Sequence, residues 1–243
     1  MIGKKVYAYE TTDSTMDLAH RLGQAGEPEG SVVVAESQSK GRGRLGRSWI
    51  SPKSKGIYAS ILLRPSLRLS EVPKITLMAA VAAARAIQAE TRLSPEIKWP
   101  NDILLGGKKV AGILTEMNAE SDRINYVVIG IGMNVNSLQK DLPDRATSIS
   151  EELGRPVDRT KLAQALFEEM DKAYAEFLNQ GFDGILEAWR GFAHFLGRRI
   201  RVTTQGRTVD GQAVDVDSDG TLRVRTDNGL VESLSAGEVL VVR

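Results

Sequence analysis

The chain has 243 residues, a net charge of +1 from 32 basic and 31 acidic side chains, and no cysteine. That balance leaves no global field to recruit nucleic acid or an anionic membrane, and the missing thiols exclude disulfides, thiolate nucleophiles and cysteine-bound metal centres. Only His20 and His194 could supply imidazole, too few and too far apart for a histidine-rich metal site.

The amino terminus lacks the apolar run of a signal peptide, and the most apolar stretch, residues 75–89, carries Arg85 and is too short to span a bilayer. A cytoplasmic protein is expected. Thr11-Thr12-Asp13-Ser14-Thr15 precedes a short amphipathic helix bearing Met16, Ala19 and Leu22, and Ser14 with Asp17 has the form of a reciprocal cap. Val32 to Ala35 reads as a buried strand and leads into Gly41-Arg42-Gly43-Arg44-Leu45-Gly46-Arg47-Ser48-Trp49. Glycines let backbone amides approach an anion, and arginines offer a charged fork for carboxylate or phosphate. The spacing is neither the Walker pattern nor the dinucleotide fingerprint. Trp49 suits core packing, or a platform for a purine ring.

Ile57 to Leu63 reads as a second strand. Val72 to Glu90 reads as a helix with Ser70 as its cap. A strand at residues 96–99 ends in Lys98-Trp99-Pro100-Asn101-Asp102, which places a cation beside two oxygen donors suited to Mg²⁺. Ordinary turn chemistry explains that segment equally well. The strand from Lys109 to Glu116 begins with a lysine at its rim and carries Gly112, where a ligand could approach the backbone. In the strand from Tyr126 to Val135, Gly130 and Gly132 alternate with apolar residues. Asn134 and Asn136 share a face there, as phosphate or ribose donors or as strand-end turn residues. Asp158 to Asn179 is an amphipathic helix stopped by Gly181, and a second follows from Asp183 to Leu196. From Arg198 onward, five short strands separated by turn residues such as Asp227-Asn228-Gly229 suit a small SH3-like barrel.

The order of these segments resembles the biotin–protein ligases. Their motifs are matched by Glu36 to Trp49 with its arginine–glycine loop, Lys98-Trp-Pro-Asn-Asp102, Lys109-Val-Ala-Gly-Ile-Leu114 and Gly130-Ile-Gly-Met-Asn134. The resemblance implies an α+β fold, with a mixed-sheet catalytic domain over residues 1–195 and an SH3-like domain over 196–243. It implies biotin and ATP as substrates with Mg²⁺, biotin activated as biotinyl-5'-AMP, and transfer to a lysine of a biotin carboxyl carrier protein. By that resemblance biotin is held by Ser14, Thr15, Gln38, Gly41, Arg42, Gly43, Arg44, Lys109 and Gly112. ATP lies near Arg47, Trp49, Asn101 and Asn134, and Lys98, Arg42 and Lys109 carry the chemistry.

Met16 stands where the family commonly has Asn, which removes a side-chain contact there. Some members carry an amino-terminal helix-turn-helix domain. This chain starts almost at the catalytic domain, so neither DNA nor membrane is an expected partner, and a homodimer is left open. A lipoate or octanoate ligase or transferase, a non-catalytic binding module and an inactive sensor that binds biotin only are the rival readings.

Overall fold

The structure, a computed structural model, describes residues 1–204 and 206–242. Seven strands make one sheet: β1 (Lys5–Thr12), β2 (Ser31–Gln38), β3 (Gly56–Leu63), β4 (Glu96–Lys98), β5 (Asp102–Leu105), β6 (Lys108–Glu120) and β7 (Arg123–Asn134). Their order is β1-β2-β3-β7-β6-β5-β4. The sheet is mixed, as expected: β1 and β2 run parallel, and the other neighbours antiparallel. All of β3 is buried, as its apolar run, broken only by Ser60, demands.

Strand side chains alternate, so the sheet presents two distinct faces. Helices α2 (Val72–Thr91) and α4 (Arg159–Gln180) cover one of them. There Ile61, Ile113, Ile129 and Ile131 join the main hydrophobic core. The opposite face receives α1 (Thr15–Gln24), whose Met16 and Ala19 pack with Val33, Leu62, Tyr126 and Val128. This short helix covers only part of its face. Beyond it, Gly112 of β6 and Gly132 of β7 lie directly opposite each other in register, and two adjacent residues without side chains leave a depression in the sheet.

Local signals explain the ends of α4 but not those of every helix. Asp158 caps α4 by accepting from the amides of Thr160 at 2.9 Å and Lys161 at 3.2 Å, and Gly181 ends it with φ 84°. Ser70, the expected cap of α2, falls inside a 3₁₀ turn at Leu69–Glu71, so Glu71 occupies the cap position without a side-chain bond. Ser14 does occupy the cap position of α1, but its hydroxyl bonds no backbone amide. The expected reciprocal cap is absent because Asp17 pairs with Arg42 instead, at 2.8 Å. A short helix α3 (Ile149–Leu153) precedes α4, and α5 (Asp183–Phe192) stops four residues earlier than its apolar pattern suggests.

The five carboxy-terminal strands are β8 (Arg199–Thr204), β9 (Arg207–Val216), β10 (Leu222–Thr226), β11 (Val231–Leu234) and β12 (Glu238–Val241), in one antiparallel sheet of order β11-β10-β9-β8-β12. Among the described residues β11 and β12 do not pair with each other, so the sheet is open at those edges rather than a closed barrel. It leans on the rest of the molecule. Trp99 Nε1 donates to the carbonyl of Gly220 at 3.1 Å, Arg190 grips Asp215 with two bonds of 2.8 Å, and Ile200, Val202 and Ala213 belong to the main core. No helix among the described residues is long and apolar enough to cross a membrane.

Candidate active site

The arginine–glycine loop folds back on itself over the uncovered part of the sheet. Trp49 N donates to the carbonyl of Gly41 at 2.8 Å and Gly43 N to that of Arg47 at 2.7 Å, while Arg42 and Ser48 form a bridge. The tip turns at Leu45 and Gly46, both at positive φ. Gly41 is required by this closure, since a Cβ there would strike the carbonyl of Trp49 and lie 2.9 Å from Ser51 Oγ. The turn delivers the Trp49 indole onto the two-glycine depression. A Cβ on Gly132 would lie 2.5 Å from its Nε1, and one on Gly112 would lie 3.0 Å from its Cζ3. The space left between indole, loop and α1 is a cavity of about 40 Å³.

One end of this cavity is polar and neutral. Ser60 Oγ, on β3, donates to Thr15 Oγ1 at 2.8 Å. Thr15 then donates to Gln38 Oε1 through its hydroxyl at 3.1 Å and its backbone amide at 2.8 Å. Gln38 Nε2 donates to Ser51 Oγ at 2.9 Å. This relay fixes which way the Gln38 amide points and ties four segments together. Beside it, the hydroxyl of Ser14 is buried without any partner, as is the Trp49 indole N–H. Each such group costs about 1–3 kcal/mol if left unpaired.

The other end is cationic. Lys109 Nζ lies 2.6 Å from Asp102 Oδ1 and 5.3 Å from the centre of the Trp49 ring, and Lys98 Nζ lies 3.2 Å from Asp102 Oδ2. The β4–β5 register, which sets Lys98 opposite Asp102, and the β5–β6 register, which sets Asp102 opposite Gly112, together assemble this triad. Arg44 reaches in from the loop and donates to Asn101 Oδ1 at 2.8 Å. Asn101 in turn donates to the carbonyl of Ile113 at 2.8 Å. Burial pulls the Arg44 pKa below the ordinary arginine value. Arg42 sits at the cavity edge, held by Asp17 at 2.8 Å and by Glu116, whose other oxygen meets His20 Nε2 at 3.0 Å.

Of the residues that the sequence reading singled out, the structure gathers Thr15, Gln38, Arg42, Gly43, Arg44, Trp49, Asn101, Lys109 and Gly112 around one cavity. Six others stand back from it. Ser14 and Gly41 lie behind the wall, and Lys98 is one carboxylate removed. Asn134 is buried and donates to the carbonyl of Thr147 at 3.1 Å, a residue of the segment that pairs with the backbone of Lys109. Arg47 points outward to β12, where it makes two bonds to Glu238, at 3.0 and 2.6 Å. Asn136 serves structure alone in this arrangement, exchanging bonds of 2.9 Å with the backbone of Val157.

Sequence reasoning missed Asp102 as the bridge between the two lysines. Its neighbours in sequence mark a turn, and only the strand register brings Lys109 to it. Glu116, Asp17 and Glu238 were missed for the same reason. Among the described residues no three His, Cys, Asp or Glu side chains cluster as a metal site.

The sequence matches the biotin/lipoate A/B protein ligase family over residues 8–134, more than half of its length. The chain belongs to this family. Residues 195–242 match the biotin protein ligase C terminal domain. The bifunctional ligase/repressor BirA of Bacillus subtilis is 39% identical over 240 residues, covering 97% of this chain and 74% of that protein. The biotin--[acetyl-CoA-carboxylase] ligase of Mycobacterium tuberculosis is 30% identical over 243 residues, covering 96% and 87% respectively. The fold superimposes on a biotin protein ligase from Aquifex aeolicus in complex with biotin and ATP with a TM-score of 0.85, at 27% identity and 99% coverage of both chains.

Proposed function

We propose that the chain activates biotin with ATP to biotinyl-5'-AMP and transfers the biotinyl group to a lysine of a biotin carboxyl carrier protein, in the cytoplasm. The observation that carries this reading is the division of one small cavity into a neutral hydrogen-bonding end and a cationic end. Biotin has that polarity, with a neutral ureido ring at one end and a carboxylate at the other. Thr15 and Gln38 would face the ring and Gly43 would close that end, with Gly41 and the unpartnered Ser14 hydroxyl just behind them. The tail would cross the floor at Gly112, and Lys109 and Arg44 would receive the carboxylate. With the Trp49 indole in place the cavity holds little more than a water molecule, so biotin would enter as the indole lifts.

In the first step a carboxylate oxygen attacks the α-phosphorus of ATP and the bond to pyrophosphate breaks. Two anions meeting at about 4 Å repel by roughly 4 kcal/mol at an effective dielectric of 20. Lys98, Lys109, Arg42 and Arg44 supply the opposing charge, already ordered by Asp102, Glu116 and Asn101. Arg47, Trp49, Asn101 and Asn134 would border the nucleotide. Both oxygens of Asp102 already meet lysine ammoniums, so Mg²⁺ would arrive on the ATP phosphates, which usually supply most of its ligands together with water. When bound, it would neutralise phosphate charge. The loop over the product would shield the mixed anhydride from water. Residues 1–195 would hold the chemistry, and residues 196–243 would brace the loop through Glu238.

ATP–pyrophosphate exchange tests the proposal: it should depend on biotin. Exchange supported by lipoate or octanoate with biotin inert would overturn the reading.

A further inference from the structure

A second cavity, of about 230 Å³, lies between the first turns of α2, strand β6 and the carboxy-terminal sheet. It shares three wall residues, Arg44, Ile113 and Leu114, with the cavity described above. These three residues border both cavities. The remaining walls are mostly apolar, from Val72, Pro73, Leu77 and Trp99, and Ser235 stands exposed at the rim. Thr76 and Thr115 also face it, but their hydroxyls bond each other at 2.9 Å. Among the described residues the lining contains no carboxylate and no histidine, and its one charged member is the Arg44 guanidinium.

We infer that this second cavity is the port through which the carrier's acceptor lysine reaches the acyl-adenylate, entering as a neutral amine. The inference rests on the ligase reading. An alkyl stem with a terminal amine matches a channel with apolar sides that ends at Arg44. Apolar walls disfavour an ammonium by desolvation and the guanidinium disfavours it by like charge, so the lysine sheds a proton to solvent before it enters. No side chain in the lining need act as a base. The neutral nitrogen attacks the acyl carbon, a new C–N bond forms, and the C–O bond to phosphate breaks. AMP departs with that electron pair, and the second amine proton goes to water.

The test separates the two half-reactions. Ser235→Trp plugs the rim from an exposed position, and Pro73→Trp does so from the opposite wall. Each variant, with Ser235→Ala as control, is loaded with biotin and ATP. Pyrophosphate release and single-turnover consumption of the bound adenylate are then followed. The acceptors are a biotin carboxyl carrier domain and n-butylamine, which copies the lysyl stem but has no docking surface. Both tryptophan variants should form adenylate at the wild-type rate and lose at least tenfold in transfer to both acceptors, while Ser235→Ala keeps transfer. Loss with the carrier alone would mean that the rim is a docking contact and would overturn the inference, as would loss with neither acceptor. Absence of biotin-dependent pyrophosphate release from the wild-type protein would instead overturn the ligase reading.

Discussion

The two-glycine depression under Trp49 can be tested by replacing Gly132 with alanine. The added methyl would lie 2.5 Å from the indole Nε1 and 2.8 Å from Cδ2. Ordinary carbon contacts need about 3.5–4.0 Å, so the ring must retreat by about 1 Å or leave the sheet. Gly132 sits mid-strand between β3 and β6 and cannot yield. Overpacking of this kind costs about 1–3 kcal/mol, and the ceiling is the packing energy of the indole itself, because a loop residue can swing away. For a chain of this length that corresponds to a melting temperature lowered by roughly 2–12 °C. The assay is a double-mutant cycle with Trp49→Ala, followed by thermal and urea unfolding. In the Trp49→Ala background the same Gly132→Ala change should cost little, leaving a coupling of about 1–3 kcal/mol. If Gly132→Ala destabilises both backgrounds equally, the indole does not rest on that floor.

Four further outcomes are expected. Lys98→Ala should slow adenylate formation by about 10²–10³-fold, as loss of a fixed charge at a developing anion does. Arg44→Ala should weaken retention of the adenylate by roughly 30–150-fold, from about 2–3 kcal/mol of charge-assisted contact. Single-turnover chemistry alongside intermediate release compares these two variants, and an Arg44→Ala protein that keeps its adenylate but loses chemistry would refute the distinction. Asp102→Asn should reduce kcat/KM of biotin-dependent exchange by about 10–100-fold, because both lysines lose the carboxylate that orders them. An unchanged value would show that the lysines need no such anchor. The hydrogen bonds from Arg47 hold the Glu238 carboxyl below the ordinary glutamate pKa. A lowered folded-state pKa stabilises the fold above the unfolded value of about 4.3 and loses that contribution as pH falls through the folded value. Urea midpoints of wild type and Glu238→Gln should therefore differ near neutrality and converge in acid; a constant gap would remove the latch from the explanation.

Features built from contiguous residues were legible in the sequence. The helix after Asp158 carried its cap, its apolar stripe and its stop within one window, and β3 announced itself as an apolar run broken only by Ser60. Strand β1 went unseen because it is an edge strand, largely exposed, with no alternation to read. Short β5 was hidden inside turn chemistry at Asn101-Asp102. At the site, the residue types that face a ligand could be named from their motifs, but their partners could not. Asp102 meets Lys109, and Glu116 and Glu238 meet arginines, through strand register and domain packing, which no local spacing encodes. Ser14 shows the converse, a capping signature whose hydroxyl is left without a partner in the fold.

The pairing of Arg47 with Glu238 spans 191 residues of chain. On the ribosome, the loop is therefore made long before the carboxylate that fastens it exists. At usual elongation rates of about 5–20 residues per second, the gap is on the order of 10–40 s. Throughout that interval the nascent amino-terminal sheet carries an unfastened arginine-rich loop, and the final strand is the piece that ends it.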